Sequence, residues 1–163
     1  MKKTVLFSIT LLLCLSLSAC GKKPKYRDTV PCETLTGICE EIAVADGGYA
    51  RYENSYLDYF FESTTLPDHY SLIYSVASAD INEIGIFHVP DTESIDKMRS
   101  LCEAYLTDMR ETQSAFIESY APRELIKLTN ASVHIYGNYV VYLILDEADT
   151  KAITARIQKE LSE

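Results

Sequence analysis

The sequence contains three histidines, whose side chains are the ones best suited to bind a metal ion or to transfer a proton. His69 precedes a predicted strand, and His88 and His134 lie within two other predicted strands. If those strands are neighbours, His88 and His134 face one another, and an Asp or Glu nearby completes a metal site. His134 also alternates with Val133 and Ile135, which is typical of a polar position on the solvated face of a sheet. We favour this second interpretation and predict no metal site.

No local catalytic motif accompanies the histidines. The sequence lacks a Gly-rich phosphate loop, a Gly-x-Ser-x-Gly turn, a His-Glu-x-x-His helix, a Cys-x-x-Cys pair and a calcium-binding loop. Cys102 lies on the predicted core stripe of a helix, which argues against a nucleophile with an adjacent base and an open site. None of the carboxylates has an apolar setting in the sequence that would raise its pKa. We therefore predict no catalytic residue and no cofactor.

The N-terminus carries an export signal. Two lysines precede an apolar run over residues 5–15, which is shorter than the about 20 residues of a membrane span. The run closes on Leu17-Ser18-Ala19-Cys20-Gly21, which resembles the lipobox of bacterial lipoproteins. The resemblance implies cleavage between Ala19 and Cys20, loss of residues 1–19 as a signal peptide, and lipidation of the Cys20 thiol. The alternatives are an uncleaved anchor helix, or an ordinary signal in which the cysteine is accidental.

Charge is distributed unevenly after the signal. From Pro31 onward the chain holds 9 basic and 23 acidic residues, a net charge of −14. Residues 20–30 are instead basic and contain Lys22, Lys23, Lys25 and Arg27. We predict that this stretch is a tether that either lies against anionic lipid headgroups or keeps a linker soluble. Residues 31–163 are predicted to form one acidic domain, and nucleic acid is not an expected partner because it requires a basic surface.

Three cysteines follow Cys20. Cys32 and Cys39 are seven residues apart on a predicted helix, about 10 Å along its axis, which is too far for a disulfide. Cys39 and Cys102 can pair if their two helices pack together. The simpler interpretation is that all three are buried and act as small apolar residues.

A tyrosine-rich stretch follows the first predicted helix. Its tyrosines are three and four residues apart, which predicts a short helix over about residues 53–62. The four rings are Tyr49, Tyr52, Tyr56 and Tyr59. They form either a platform on which a sugar stacks or an ordinary packed helix face, and the absence of tryptophan weakens the sugar interpretation.

The remaining patterns define the elements that hold these side chains. A helix is predicted from Pro31 to about Asp46, and a long helix of about seven turns begins after Asp91. Alternating residues predict one pair of strands over residues 70–77 and 83–89, and a second pair around the turn Gly137-Asn138. A final helix begins after Asp146. The expected fold is α+β, with an antiparallel sheet of about four strands in two hairpins. The long helix and the C-terminal helix are expected to pack mainly on one face.

Three short patterns resemble those of a known family. They are Asp80–Phe87, Tyr120–Leu125 and Tyr136–Val140. They are similar to a family of uncharacterised lipoproteins from Gram-positive bacteria that carry a domain of unknown function, over roughly residues 65–160. The resemblance supports the lipobox and implies no catalytic residues. Tyr142 stands where that family usually has an aliphatic residue.

These observations predict an extracytoplasmic lipoprotein, anchored to the outer face of the cytoplasmic membrane. The expected function is a non-enzymatic interaction module whose partner is an unknown protein or other component of the cell envelope. The alternative is a lipoprotein that binds a small ligand or a sugar through the tyrosine-rich face. A hydrolase is the third candidate and requires a cleft with convergent titratable groups.

Overall fold

The computed structural model describes residues 25–53, 67 and 69–162. The predicted helix over residues 53–62 therefore lies almost entirely outside the described residues, as do the lipobox, Lys22 and Lys23. In chain order the elements are α1 (Cys32–Ile42), β1 (Tyr49–Arg51), β2 (His69–Ser75), β3 (Glu83–His88), α2 (Thr92–Tyr120), α3 (Leu125–Thr129), β4 (Ser132–Tyr136), β5 (Tyr139–Ile144) and α4 (Glu147–Leu161).

Within the described residues, the strands form one five-stranded antiparallel sheet in the order β1-β2-β3-β5-β4. Both predicted hairpins are confirmed, and the positive φ of Gly137 (58°) fits the tight turn between β4 and β5. The fifth strand was not predicted. It is β1, a three-residue segment of the tyrosine-rich stretch that pairs with β2, with Tyr49 opposite Ser75. The sheet therefore has one strand more than the sequence indicated.

The fold class is α+β, as predicted, but the helices do not share one face of the sheet. Helices α1 and α4 pack with Ile84, Ile86 and Val141 in one core. Helix α2 packs on the opposite face, in a second core that contains Phe87 and Val140. The prediction of one covered face was wrong because β3 and β5 are buried along almost their whole length. A central strand of this kind needs cover on both sides.

Local signals explain where the long helix begins and ends. The Asp91 carboxylate accepts a hydrogen bond from the Ser94 N–H at 2.8 Å and caps the first turn of α2. The helix ends at Tyr120, shortly before Pro122, which cannot continue it. Its 29 residues span about 43 Å at 1.5 Å per residue. This length carries it across the sheet and leaves Phe116 and Tyr120 exposed near its end, with their ring centroids 4.6 Å apart.

Part of the predicted tether lies on the folded domain. Tyr26 forms an isolated bridge with Ser162, and the Arg27 N–H donates to the carbonyl of Leu161 at 2.7 Å. The Arg27 guanidinium also lies 3.1 Å from the Glu160 carboxylate. Tyr26 and Arg27 therefore contact the folded domain, and Arg27, one of the basic residues predicted for a membrane-facing tether, is paired with an acidic residue of the C-terminal helix.

Candidate functional site

Two of the three histidines lie together. His69 opens β2 and is paired in register with His88, the last residue of β3. Their ring centroids are 6.2 Å apart. With Asp28, Cys32 and other residues around the start of α1 they line a cleft of about 340 Å³, which we call the histidine cleft.

Residues 26–30 lie on the folded domain, and we call them the docked segment. Asp28 connects this segment to the histidine cleft. Its Oδ1 lies 2.8 Å from Nε2 of His88, and its Oδ2 accepts a hydrogen bond from the Asn138 amide at 2.9 Å. The Tyr139 hydroxyl donates to the carbonyl of Val30 at 2.7 Å and holds the same segment. A carboxylate that orients an imidazole in this way is one part of the arrangement used in nucleophilic catalysis. The other part is a nucleophile within reach of the imidazole.

Cys32 does not supply that nucleophile. Its thiol donates to the carbonyl oxygen of His69 at 3.6 Å rather than to a histidine ring. Burial, with a smaller contribution from Glu33, raises the pKa of Cys32 to about 11, so the thiol stays protonated at neutral pH. Because the thiolate is the reactive form, this cysteine is not activated. Within the described part of the chain, the cleft therefore has side chains that can bind a ligand or hold a proton, but it has no nucleophile paired with a base.

His88 and His134 do not face one another, so the arrangement on which the alternative of a metal site depended does not occur. Strand β5 lies between β3 and β4, and His134 is paired with Val141 of that strand. One His134 ring nitrogen lies 2.9 Å from the Ser132 hydroxyl, and burial lowers the pKa of His134. Among the described residues, no group of three or more His, Cys, Asp or Glu side chains is placed to hold a metal ion.

The cysteines lie apart from one another. Cys39 is buried in the core beneath α1 and α4, whereas Cys102 is buried in the core beneath α2. The sheet separates these two residues, so the disulfide that the sequence left open does not form, and both are free. Burial raises the pKa of each to about 12, with smaller contributions from Glu40 and Glu103 respectively. The interpretation of the cysteines as small apolar core residues is confirmed.

The two described tyrosines of the possible ligand face, Tyr49 and Tyr52, lie on opposite faces of the sheet. Tyr49 packs against the core of α1 and α4 and donates its hydroxyl to the carbonyl of Ala43 at 2.8 Å. Burial raises its pKa to about 12. Tyr52 packs against the opposite core. Because these two cores lie on opposite faces of the sheet, Tyr49 and Tyr52 do not share a surface. Tyr56 and Tyr59 lie outside the described residues.

Tyr52 instead belongs to a cluster of tyrosines around Glu83. No pattern in the sequence predicted this cluster. Glu83 begins β3 and is 6% exposed. Its Oε1 accepts hydrogen bonds from the hydroxyls of Tyr142 (2.6 Å) and Tyr105 (2.8 Å), and its Oε2 accepts one from Tyr52 (2.8 Å). We call these four residues the Glu83 cluster. They join β3, β5, α2 and the residue after β1 at one buried point.

The environment of Glu83 fixes its chemistry. Burial raises the pKa of its carboxyl group, while the hydrogen bonds from Tyr142, Tyr105 and Tyr52 act in the opposite direction. Burial next to this group also raises the pKa of all three tyrosines, which keeps their hydroxyls neutral donors. Each carboxylate oxygen already has a tyrosine partner, so the cluster is suited to hold elements together rather than to accept a proton from a substrate.

A second buried polar group lies around Lys127 of α3. The Lys127 amine lies 2.6 Å from the Glu124 carboxylate and 3.0 Å from that of Asp80, and its side chain is 8% exposed. Asp146, at the start of α4, is 3.9 Å away. The amine thus occupies the position between acidic groups that a cation would otherwise take. This arrangement fastens the turn between β2 and β3 to α3.

The partners of Glu83 could not be found from local patterns. The three tyrosines lie 31, 22 and 59 positions from it in the sequence. One signal was available, because Glu83 begins an otherwise apolar strand and is followed two residues later by Gly85, on the same face. A glycine at such a position leaves room for a large side chain from the next strand. That side chain is Tyr142, whose ring lies directly over Gly85.

No helix among the described residues has both the length and the apolar character needed to cross a bilayer.

The fold and these clusters define an α+β domain with a central antiparallel sheet and a buried core on each face. The chain belongs to the family described as a domain of unknown function (DUF4358), whose match covers residues 58–145, more than half of the chain. The matched range includes three of the four members of the Glu83 cluster. No curated protein and no solved structure gives a match.

Proposed function

We propose that the chain is an extracytoplasmic lipoprotein, anchored through Cys20 to the outer face of the cytoplasmic membrane, as in the Gram-positive lipoproteins it resembles. We further propose that it acts there as a non-enzymatic interaction module of the cell envelope. The observation that carries the proposal is the stretch Leu17–Gly21 at the end of a short apolar run led by lysines. Two acyl chains on Cys20 anchor a protein stably, at about 0.8 kcal/mol per buried methylene.

The internal pairing of the reactive groups supports an interaction role. Within the described residues the three cysteines are buried, the Glu83 carboxylate is held by three hydroxyls, and Lys127 is paired with acids. The domain is acidic, and its surface carries two exposed aromatic rings, Phe116 and Tyr120, which are 59% and 77% exposed. We infer that these two exposed rings contribute to contact with a partner, because contiguous exposed apolar surface marks interaction sites.

The docked segment determines how far the domain reaches from the membrane. Five residues lie between Cys20 and Tyr26, and the six steps from one Cα atom to the next allow at most about 22 Å of extended chain. Tyr26 lies against Gly137, so the proposal places the turn between β4 and β5, and with it the same end of the sheet as the histidine cleft, nearest the bilayer. The partner is then met within this distance of the lipid surface.

Replacement of Cys20 with serine tests the anchor. We expect the Cys20→Ser protein to accumulate as an unprocessed precursor and to lose its lipid, because serine lacks the thiol that is lipidated. Intact-mass spectrometry and membrane fractionation measure both effects. The matched control is Cys14→Ser, which changes a cysteine inside the predicted signal and should leave processing and fractionation as in the wild type. A Cys20→Ser protein with the wild-type mass and location contradicts the proposal.

A small polar ligand bound in the histidine cleft is the second candidate function. The favouring observation is the cleft volume of about 340 Å³, at the lower end of the usual range for ligand pockets, with two histidines at its wall.

This candidate is tested by a thermal-shift screen of the full chain against sugars and small carboxylic acids. A true ligand should raise the unfolding temperature of the wild type and of a His134→Ala control, which leaves the cleft intact. It should not raise that of His88→Ala. A ligand that stabilises all three proteins equally binds elsewhere and removes this candidate.

A further inference from the structure

Strand β4 is an edge of the sheet with an unusual charge pattern. The chain is 24% charged, yet residues 128–145 contain no Asp, Glu, Lys or Arg. This run of 18 residues covers β4 and β5 and is the longest uncharged stretch after Pro31. Burial explains it fully for β5, which lies inside the sheet, but only in part for β4, where Ser132, Val133 and His134 are half-buried and Ile135 is exposed.

The hydrogen-bonding direction of β4 follows from its neighbours. The Asn138 carbonyl accepts a hydrogen bond from the Val89 N–H at 3.0 Å, on the β3 side of β5. The next residue, Tyr139, therefore directs its peptide groups toward β4, where it is paired with Tyr136. Peptide groups alternate along a strand, so those of Val133 and Ile135 point away from the sheet. In the described part of the chain, no other strand pairs with them.

This edge lacks the features that usually prevent strands from pairing between molecules. Such features include lysine, proline, a bulge or a very short strand. Strand β4 has five residues, contains neither lysine nor proline, and pairs with β5 in an unbroken register. The opposite edge, β1, has three residues and ends on the exposed Arg51. The two edges of the same sheet are therefore protected to different degrees.

We propose that β4 is a self-association edge at which two copies of this chain pair antiparallel about a two-fold axis at His134. In this register Val133 lies opposite Ile135 of the partner copy, and the outward peptide groups of both residues exchange hydrogen bonds across the axis. Ile135, which is 39% exposed, gains an apolar neighbour. The two sheets become one sheet of ten strands.

Charge selects a second copy as the occupant of this edge. With a net charge of −14 from Pro31 onward, two copies repel each other wherever their acidic surfaces approach. Repulsion is weakest along the uncharged edge, and that edge is complementary to itself. The part of this edge that is free to pair begins at Ser132. Before it, the carbonyls of Leu128 and Ala131 already accept hydrogen bonds from the Arg110 guanidinium. The inference concerns the folded domain and goes beyond the proposed anchoring.

Disulfide trapping of the full chain in cells tests this register. A His134→Cys protein places its new thiol next to that of the second copy, within the about 7 Å between Cα atoms that a disulfide requires. Mild oxidation should give a species of twice the mass on a non-reducing gel. Ser132→Cys is the matched control on the same strand and face. Its partner in this register is Tyr136, so the two new thiols are about 13 Å apart and should not link.

Each outcome of the trapping experiment bears on the proposal. A dimer from His134→Cys, absent from Ser132→Cys and from the oxidised wild type, supports the two-fold pairing. Trapping should also be lost when Ile135→Lys is added to His134→Cys, because the lysine brings charge to the edge. Equal trapping of both single variants, no trapping of either, or linkage of His134→Cys to a different protein overturns it.

Sedimentation of the detergent-solubilised full chain provides a test without an introduced cysteine. We expect the wild type to have the mass of two copies, and Ile135→Lys to weaken association at least tenfold. Circular dichroism shows whether the variant retains its fold. A folded Ile135→Lys protein that associates like the wild type overturns the proposal even if His134→Cys fails to accumulate.

Discussion

Replacing Gly85 with alanine is expected to lower the free energy of unfolding by about 3–5 kcal/mol, a large part of the about 5–15 kcal/mol that stabilises an ordinary domain. An added Cβ would lie 2.1 Å from Cε1 of Tyr142 and within 2.8 Å of two further ring atoms. The Tyr142 ring is fully buried and donates its hydroxyl to Glu83 at 2.6 Å. It cannot move away without depriving a buried carboxylate of a donor, so overpacking and loss of a hydrogen bond act together.

Gly37 provides the matched control. It lies within α1, and a Cβ at this position meets no heavy atom within 4 Å. Gly37→Ala should therefore stabilise the protein by about 0.5–1 kcal/mol through its higher helix propensity. Urea unfolding of the two variants gives opposite shifts in midpoint. A second control is Gly85→Ala combined with Tyr142→Ala, which should cost less than the sum of the single changes because the clash is gone. Additive costs would contradict the proposed contact.

The sequence predicted those parts of the fold that local signals determine. The turn at Gly137-Asn138 fixed one hairpin, and the cap at Asp91 fixed the start of the long helix. The distribution of helices over the two faces was missed because the strands were predicted from alternating residues, a pattern typical of a sheet with one covered face. The nearly continuous apolar runs of β3 and β5 are typical of strands covered on both faces, as α1, α4 and α2 in fact cover them.

The candidate sites show a similar division between local and long-range information. His69 and His88 belong to one hairpin, and counting outward from its turn places them opposite each other. The alternative in which His88 faces His134 depended on the order of the two hairpins. Strand β5 lies between β3 and β4 in the sheet, so His134 on β4 is beyond the reach of His88 on β3. Strand order depends on the packing of the whole chain, and the spacing of residues contains little information about it.

Removal of the Glu83 carboxylate is expected to have an effect as large as that of Gly85→Ala. Glu83→Leu leaves the hydroxyls of Tyr52, Tyr105 and Tyr142 without their acceptor in a buried site. An unsatisfied buried polar group costs about 1–3 kcal/mol, so we expect a loss of about 3–5 kcal/mol after partial rearrangement. Urea unfolding at pH 7 measures it. A loss below about 1 kcal/mol would show that the tyrosines find other acceptors.

Glu83→Gln removes the titration of this group: its amide keeps one acceptor oxygen for the tyrosine hydroxyls, while its NH2 group can only donate, to a tyrosine oxygen. Burial raises the pKa of folded Glu83 above its ordinary value of 4.5, so the folded protein holds this proton more tightly than the unfolded chain does. The stability that Glu83 contributes is then fully present below pH 4.5 and falls as the pH rises through the folded pKa, with a slope of at most about 1.4 kcal/mol per pH unit.

Glutamine does not titrate, so the difference in unfolding free energy between the wild type and Glu83→Gln isolates this contribution from those of the other carboxylates. We expect the wild type to lose stability relative to Glu83→Gln as the pH rises from 4.5 to 8, measured by urea unfolding at intervals of half a pH unit. A difference that stays constant would mean that the three tyrosine hydroxyls fully offset burial. A difference that changes in the opposite direction would mean that they outweigh it, and that Glu83 is an ordinary ionised carboxylate held by strong hydrogen bonds.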